Sequence, residues 1–539
     1  MPLDANFAAD LTAALRLRRM NEGLRLLGEA ERELGSFGPE TPEAARLLFL
    51  IAQWVDVGYR DHRFIDSLLE RFPQDCRRRL PVEDFLRLRM AEAFRDLAAG
   101  ELDSAIATLD LVLRTSGDLS LLSLEAVAHF WKGRAHRKRG EYETSLKHIA
   151  RAREMAQADG DEIFTAVIQV QESWLLFQKG LSKEAFQMLD QAESVLKLTD
   201  HFVALGNIES ARGRIVRRSG EYSRALEHFS RAVDVYSRRD PNHVNVARAL
   251  VNAAYVQRLL ALQLRKRIEM KSRSGKARSV VASQGSVSRE TPLARYQRVW
   301  QEAVDSLTRA HEIYALHTHF DGIGKVLLNL GYLHLDRGDI ERAYSEATKA
   351  YEIGVQQDDH ILMARARILE SALENAHVEE QTGEEVDVAV HANRARLYSE
   401  EALSLSQSTQ NRRLLAGACI ARGITAANDF FQDWETARRY ATEATGLIGP
   451  GENDHLVEDL ALLKSRIVRA SGINDLLRGW SEGIVGNKTF QQITEEFAEI
   501  VIPKVWLREE KKISRVASSL SVSPKKVRRI LRNSGVVDA

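Results

Sequence analysis

Small and apolar residues recur along this chain at i, i+4 and i+7, separated by charged stretches, and the pattern returns again and again. The clearest stripes are Ala185/Leu189/Ala192, Ala225/Phe229/Ala232, Ala303/Leu307/Ala310 and Ala343/Ala347/Ala350. Such spacing draws one narrow face along a helix, and small side chains on that face let a partner helix approach closely. Four turns precede the stripes at a spacing of 40 residues: Gly100-Glu-Leu-Asp-Ser-Ala105, Gly140-Glu-Tyr-Glu-Thr-Ser145, Gly180-Leu-Ser-Lys-Glu-Ala185 and Gly220-Glu-Tyr-Ser-Arg-Ala225. A fifth copy is Gly338-Asp-Ile-Glu-Arg-Ala343. Glycine just after a helix supplies the left-handed residue that ends it and lets a second helix start. The pattern therefore predicts an all-α solenoid of helix pairs stacked in series.

Following the stripe places the second helices at 23, 65, 105, 145, 185, 225, 303, 343, 395 and 437, about ten pairs, with the first two degenerate (Gly23/Leu27/Ala30 and Ile65/Leu69/Phe72). Two intervals are too long, 78 residues from 225 to 303 and 52 from 343 to 395, so insertions are expected near 265–291 and 378–390. The first is basic from Arg265 to Arg278 and serine-rich from Ser279 to Ser288. Its basic half reads as the solvated end of a long helix, with a nucleic-acid contact as the alternative, and its serine-rich half reads as disordered.

These residues resemble the tetratricopeptide repeat in a lengthened, 40-residue form. Gly213, Gly220, Tyr222, Ala225, Phe229 and Ala232 match its consensus positions, as do Leu330, Gly331, Gly338, Ala343 and Ala350. The resemblance covers 1–472 and implies that the first helix of each pair lines a concave groove. Carried over residue by residue, it places Phe130, Arg134 and Arg137 there from one unit, Trp174 and Phe177 from the next, Arg214 and Arg217 from a third, and Tyr332 further along. Arginine beside aromatic rings favours an acidic or carboxylate-bearing peptide or protein segment, through bidentate pairing and flat apolar contact. The plainer alternative is that these arginines pair with glutamates of neighbouring helices.

The repeat stops near Gly472, after an expected capping helix over 454–471. From Lys512 to Leu531 the chain reads as a helix-turn-helix, with Ala517 where the helices cross, Ser521 and Val522 in the turn, and Ser523 and Pro524 opening the second helix. From Glu509 to Arg532 there are eight Lys/Arg against two Glu in a chain whose formal net charge is zero. Positive charge is thus gathered on the element that would meet phosphates. The stretch from Thr489 to Val536 is similar to the Fis-type DNA-binding domain found at the C-terminus of bacterial enhancer-binding activators. Phe490, Ile493, Phe497 and Ile500 match the long helix that pairs two subunits in that family; Val516, Ala517, Leu520, Val522, Val527, Leu531, Gly535 and Val536 match the rest. Departures are Ser521 where glycine is usual, Ile530 where a basic residue is usual, and Pro503 within the pairing helix. The resemblance implies double-stranded DNA as partner and a homodimer reading two half-sites. Ser523, Lys525 and Lys526 would hold phosphates, and Arg528, Arg529 and Arg532 would face base edges. No Gly-x-x-x-x-Gly-Lys-Ser/Thr loop accompanies it, so the ATPase module of those activators is not expected.

Composition adds boundaries. At 539 residues the chain is too long for one compact core, which a solenoid does not need. Two cysteines, Cys76 and Cys419, exclude a disulfide framework or a cysteine zinc cluster. No apolar run reaches membrane-span length, and Asp4 and Asp10 interrupt any signal-peptide pattern, so a cytoplasmic protein is expected. The 15 histidines are scattered, the tightest group being His311, His317 and His319 with His334 beyond. Nothing has the spacing of a metal site or a nucleophile with its base, so neither a cofactor nor an enzyme is expected. Two functions remain: a DNA-binding transcriptional regulator whose solenoid takes a peptide or protein, and an assembly scaffold with only non-specific nucleic-acid affinity.

Overall fold

The computed structural model describes residues 6–273, 291–380, 385–470 and 486–533, apart from 36, 42, 61 and 450, together with 480, 483 and 536. The expected serine-rich segment therefore lies outside the described residues, as do Gly472 and Gly535. Every regular element among those described is helical. The N-terminal part holds α1 (Phe7–Arg16), α2 (Met20–Glu29), the short α3 (Glu31–Gly35), α4 (Ala44–Asp56), α5 (His62–Leu69) and the short α6 (Gln74–Arg77). Regular pairs follow: α7 (Val82–Ala99) with α8 (Leu102–Ser116), α9 (Leu122–Lys138) with α10 (Tyr142–Ala158), α11 (Glu162–Gln178) with α12 (Ser182–Leu196), and α13 (Phe202–Arg218) with α14 (Tyr222–Ser237). They continue as α15 (Val244–Arg273) with α16 (Pro292–Leu316), α17 (Phe320–Asp336) with α18 (Ile340–Gln356), α19 (His360–Glu380) with α20 (Glu385–Gln407), and α21 (Arg412–Ala426) with α22 (Trp434–Leu447). After α23 (His455–Ala470) come α24 (Phe490–Arg508), α25 (Ile513–Ser519) and α26 (Pro524–Asn533). Contacts divide the chain into Met1–Leu463 and Lys464–Ala539, a boundary that falls inside α23.

The first unit is an α-solenoid. All ten stripe positions fall in second helices, and the stripes are buried: Ala185, Leu189, Ala192, Ala225, Phe229, Ala232, Ala303, Leu307 and Ala310 have no exposed surface at all. The two long intervals lengthen helices: α15 runs on to Arg273, and α19 and α20 are extended toward each other. Turns within a pair repeat one hydrogen-bond pattern. At Gly140, φ is +81°, the Gly140 N–H donates to Arg137 O at 3.1 Å, and the Glu141 N–H donates to His136 O at 2.9 Å. This pair of hydrogen bonds satisfies carbonyls that a helix end leaves open.

First helices pack on the first helices of the next pair, as α11 on α13, α13 on α15, α15 on α17 and α17 on α19. The first helices therefore form the inner layer of the coil, as the repeat implies.

The coil returns on itself along both rims. On one, the Asp200 carboxylate accepts the backbone N–H groups of Met20 and Asn21, 180 residues away, at the start of α2. A carboxylate there meets both the open N–H groups and the positive end of the helix. Arg16 reaches Asp159 at 3.3 Å and Arg239 donates to Asn21 Oδ1 at 2.8 Å on the same rim. On the other rim the glycine turns receive the last repeats. The Gln410 N–H donates to Gly140 O at 3.0 Å, and its side-chain oxygen accepts the Glu143 N–H at 2.7 Å. The Asn453 N–H donates to Arg218 O at 2.7 Å beside Gly220. Next to it the buried Glu452 carboxylate binds Arg413, with Arg218 at 3.9 Å and Arg412 at 3.8 Å.

Among the described residues of the second unit, α24, α25 and α26 pack around one small core. Val516, Val527, Ile530 and Leu531 are fully buried, with Ile502 and Ala517 beside them and Val522 packed against the cluster. The Ser523 hydroxyl accepts the Lys526 N–H at 3.2 Å, the N-cap its position predicts. Ser521 sits at φ +50°, which is why glycine suits this turn. α24 runs through Pro503, and Thr489 and Gln492 form a capping box at its start.

Candidate functional site

The inner face of the solenoid gathers arginines. Arg134 and Arg137 lie near the end of α9, Arg214 and Arg217 near the end of α13, Arg248 in α15 and Arg365 in α19. They are close enough for their charges to act on one another. Burial, together with Arg134, Arg248 and Arg214, pushes the Arg137 guanidinium down to about 9. Burial and then Arg248 push Arg214 down to about 10. Lys138 follows Arg137 at the end of α9, and its Nζ donates to Leu97 O at 2.8 Å. Arg365 reaches Arg217 and Tyr142 from the far wall.

Carboxylates treat these arginines unequally. Arg134 is held by Asp56, its Nη1 within 2.5 Å and 2.6 Å of the two oxygens, at the wall of a cavity of about 240 Å³ that also touches Arg60, His62 and Phe94. Between repeats Arg212 meets Asp190, Glu193 and Glu209 at 2.6, 2.6 and 3.1 Å. Arg258 pairs with Asp336 beneath Tyr332, whose ring centre is 4.6 Å from the guanidinium. Arg137, Arg214, Arg217 and Arg365 form no ion pair with any carboxylate among the described residues. Arg248 donates to Asn245 Oδ1 at 2.8 Å.

The aromatic residues also divide. Phe130 and Phe177 are buried, Phe130 edge-on to Phe164 and Phe177 under the Arg218 guanidinium at 3.6 Å, so neither offers a ring to a ligand. Trp174 is half-buried with Arg137 5.2 Å over its ring, and Tyr255 lies 4.7 Å under Arg217. Sequence reasoning missed Asp56, Tyr255, Arg248 and Arg365. Only the repeat phase of the first helices could have signalled the last three; Arg365 joins the group because the coil closes.

Comparison with solved structures gives distant likenesses. A Rap protein complexed with competence and sporulation factor is 12% identical, with a TM-score of 0.49 over 81% of this chain and 99% of that one. The apo form of the quorum sensor NprR from B. thuringiensis is 12% identical, with a TM-score of 0.43 over 82% and 97%. The human IFIT1 dimer with m7Gppp-AAAA is 12% identical, with a TM-score of 0.45 over 83% and 96%. No protein-family model matches the chain, and no curated protein matches it. The solenoid architecture follows from the packing of the helix pairs themselves.

In the second unit Ser523, Lys525, Arg528, Arg529 and Arg532 are exposed and Lys526 is half-buried, all on or beside α26. Arg529 differs from the others: its Nη2 donates to both oxygens of Glu495 in α24 at 2.8 Å. The apolar positions of α24 stay largely uncovered, with Phe490 85% and Phe497 49% exposed. Among the described residues no group of three or more His, Cys, Asp or Glu side chains is placed to hold a metal ion. His317 instead meets Asn242 O at 2.8 Å, and His319 caps α17 through the Gly322 N–H. No helix among those described is long and apolar enough to cross a membrane.

Proposed function

We propose that this chain is a DNA-binding transcriptional regulator whose solenoid takes an acidic peptide or protein segment on its inner face. One observation carries the reading: in both units, cations stand without carboxylate partners among the described residues, where a ligand would lie. Inside the coil these are Arg137, Arg214, Arg217 and Arg365; on α26 they are Lys525, Lys526, Arg528 and Arg532. Arginine elsewhere in the solenoid is commonly paired, as at Arg212 and Arg413. Guanidinium groups gathered without an ion-paired carboxylate repel one another in the empty protein, and an anionic partner relieves that repulsion. On α26, Lys525 and Lys526 hold phosphates while Arg528 and Arg532 reach base edges.

The test is selection of full-length protein against a pool of random duplexes at two salt concentrations. An enriched motif that survives the higher salt supports the regulator. Binding without a motif that collapses with salt refutes sequence-specific regulation, because phosphate attraction alone behaves that way. The ligand half is tested by Arg214→Glu combined with Arg217→Glu, which should abolish retention of acidic peptides.

A further inference from the structure

Arg137 and Arg217 occupy the same position in repeats two apart, 80 residues from one another. Each lies in the last turn of a first helix and is stacked on an aromatic ring of the next first helix, Arg137 on Trp174 and Arg217 on Tyr255. Each has a buried Nε–H with no acceptor among the described residues. In the repeat between them the same position is Phe177, which is buried and carries no charge.

Stacking fixes the plane of a guanidinium and leaves its N–H edge open, the edge that grips a carboxylate through two parallel bonds. A buried N–H without an acceptor is costly, so each edge is a place where a carboxylate gains more than it would at the surface. We propose that Arg137 and Arg217 form a two-point clamp for an extended acidic peptide, each holding one carboxylate, with an uncharged stretch of the peptide crossing the Phe177 repeat. The proposal rests on the ligand half of the function proposed above and gives that ligand a spacing. Packed helices lie about 8–10 Å apart, so two repeats separate the subsites by roughly 16–20 Å. An extended chain advances about 3.3 Å per residue, which sets the two acidic residues about five or six positions apart.

The clamp is tested with full-length protein and fluorescent peptides of serine and glycine carrying two glutamates, the spacing stepped one residue at a time from adjacent to about ten apart. Anisotropy should give tightest binding at about five or six. Arg137→Gln and Arg217→Gln should each weaken that peptide by about tenfold, to the level of a single-glutamate peptide. Arg217→Lys, which keeps the charge and loses the planar edge, should fall between. Affinity that rises with acid content but ignores spacing overturns the clamp and leaves the acidic-ligand reading standing. No binding at any spacing overturns both. The spacing series on the unaltered chain decides the matter even if a variant folds poorly.

Discussion

The glycine turns contain their own control experiment. Gly220 and Gly338 have nearly the same backbone, φ +80° and +78°, and end equivalent helices. A methyl group on Gly338 would meet nothing within 4 Å, whereas on Gly220 it would lie 2.6 Å from the Asn453 carbonyl oxygen. Gly338→Ala should therefore cost only the left-handed penalty, about 1–2 kcal/mol. Gly220→Ala carries the same penalty and must also push Asn453 away, losing its bond to Arg218 O, about 1 kcal/mol net. Moving that loop also separates Glu452 from Arg218, Arg412 and Arg413, and breaking a buried ion pair costs about 3–5 kcal/mol. The second variant should thus be worse by about 3 kcal/mol or more. Stacked repeats need not unfold in one step, so a single unfolding free energy is the wrong readout. Hydrogen exchange on the full chain, read at the segment containing Asn453, is the right one. Gly220→Ala should strip protection there while Gly338→Ala leaves it intact. Equal protection of that segment in both variants would refute the rim contact as an energetic bond.

Three further expectations follow from single residues. Ser521→Gly relieves a left-handed serine and should slow exchange in α25 and α26, by up to about 1 kcal/mol in opening free energy. Glu495→Gln releases Arg529 and removes a carboxylate beside the basic helix, so DNA affinity at low salt should rise a few-fold, while faster exchange in α26 without any gain would mark the pair as structural. His201, buried 3% exposed with Arg18 nearby, has its pKa lowered to about 3, burial being the main cause. Its neutral form is the folded one, so its contribution is complete above pH 6.5 and fades as pH falls toward 3. Read by hydrogen exchange over the segment containing His201, the wild-type opening free energy should fall by up to about 1.4 kcal/mol per pH unit relative to His201→Asn in that window.

The helix pairs were readable because a stripe of small residues at 105, 145, 185 and 225 has one physical explanation, close packing of a partner helix, and the chain repeats it. The inner arginines were readable only in part. Arg137, Arg214 and Arg217 were placed by repeat phase, but Arg134 was not seen to be bound, since Asp56 lies 78 residues upstream in α4. Phe130 and Phe177 looked like groove residues because one helical face holds both groove and packing positions a third of a turn apart. Arg529 looked free because the carboxylate that holds it belongs to α24, 34 residues earlier. Returns of the coil are invisible to local pattern altogether. They depend on the small rotation between one repeat and the next, summed over several repeats, and no single repeat encodes that sum.

Those returns limit how the chain could have changed length. Most stacked repeats can lose or gain a unit at the cost of one interface, because each unit knows only its neighbours. Here Gly140 must meet Gln410 and Gly220 must meet Asn453. Removing one 40-residue unit from between them would bring a different turn round to each glycine, and both contacts of that rim would be lost together. Repeat number in this protein is fixed by the pitch of its own coil, so insertions should be confined to places such as the end of α15 that leave the pitch alone.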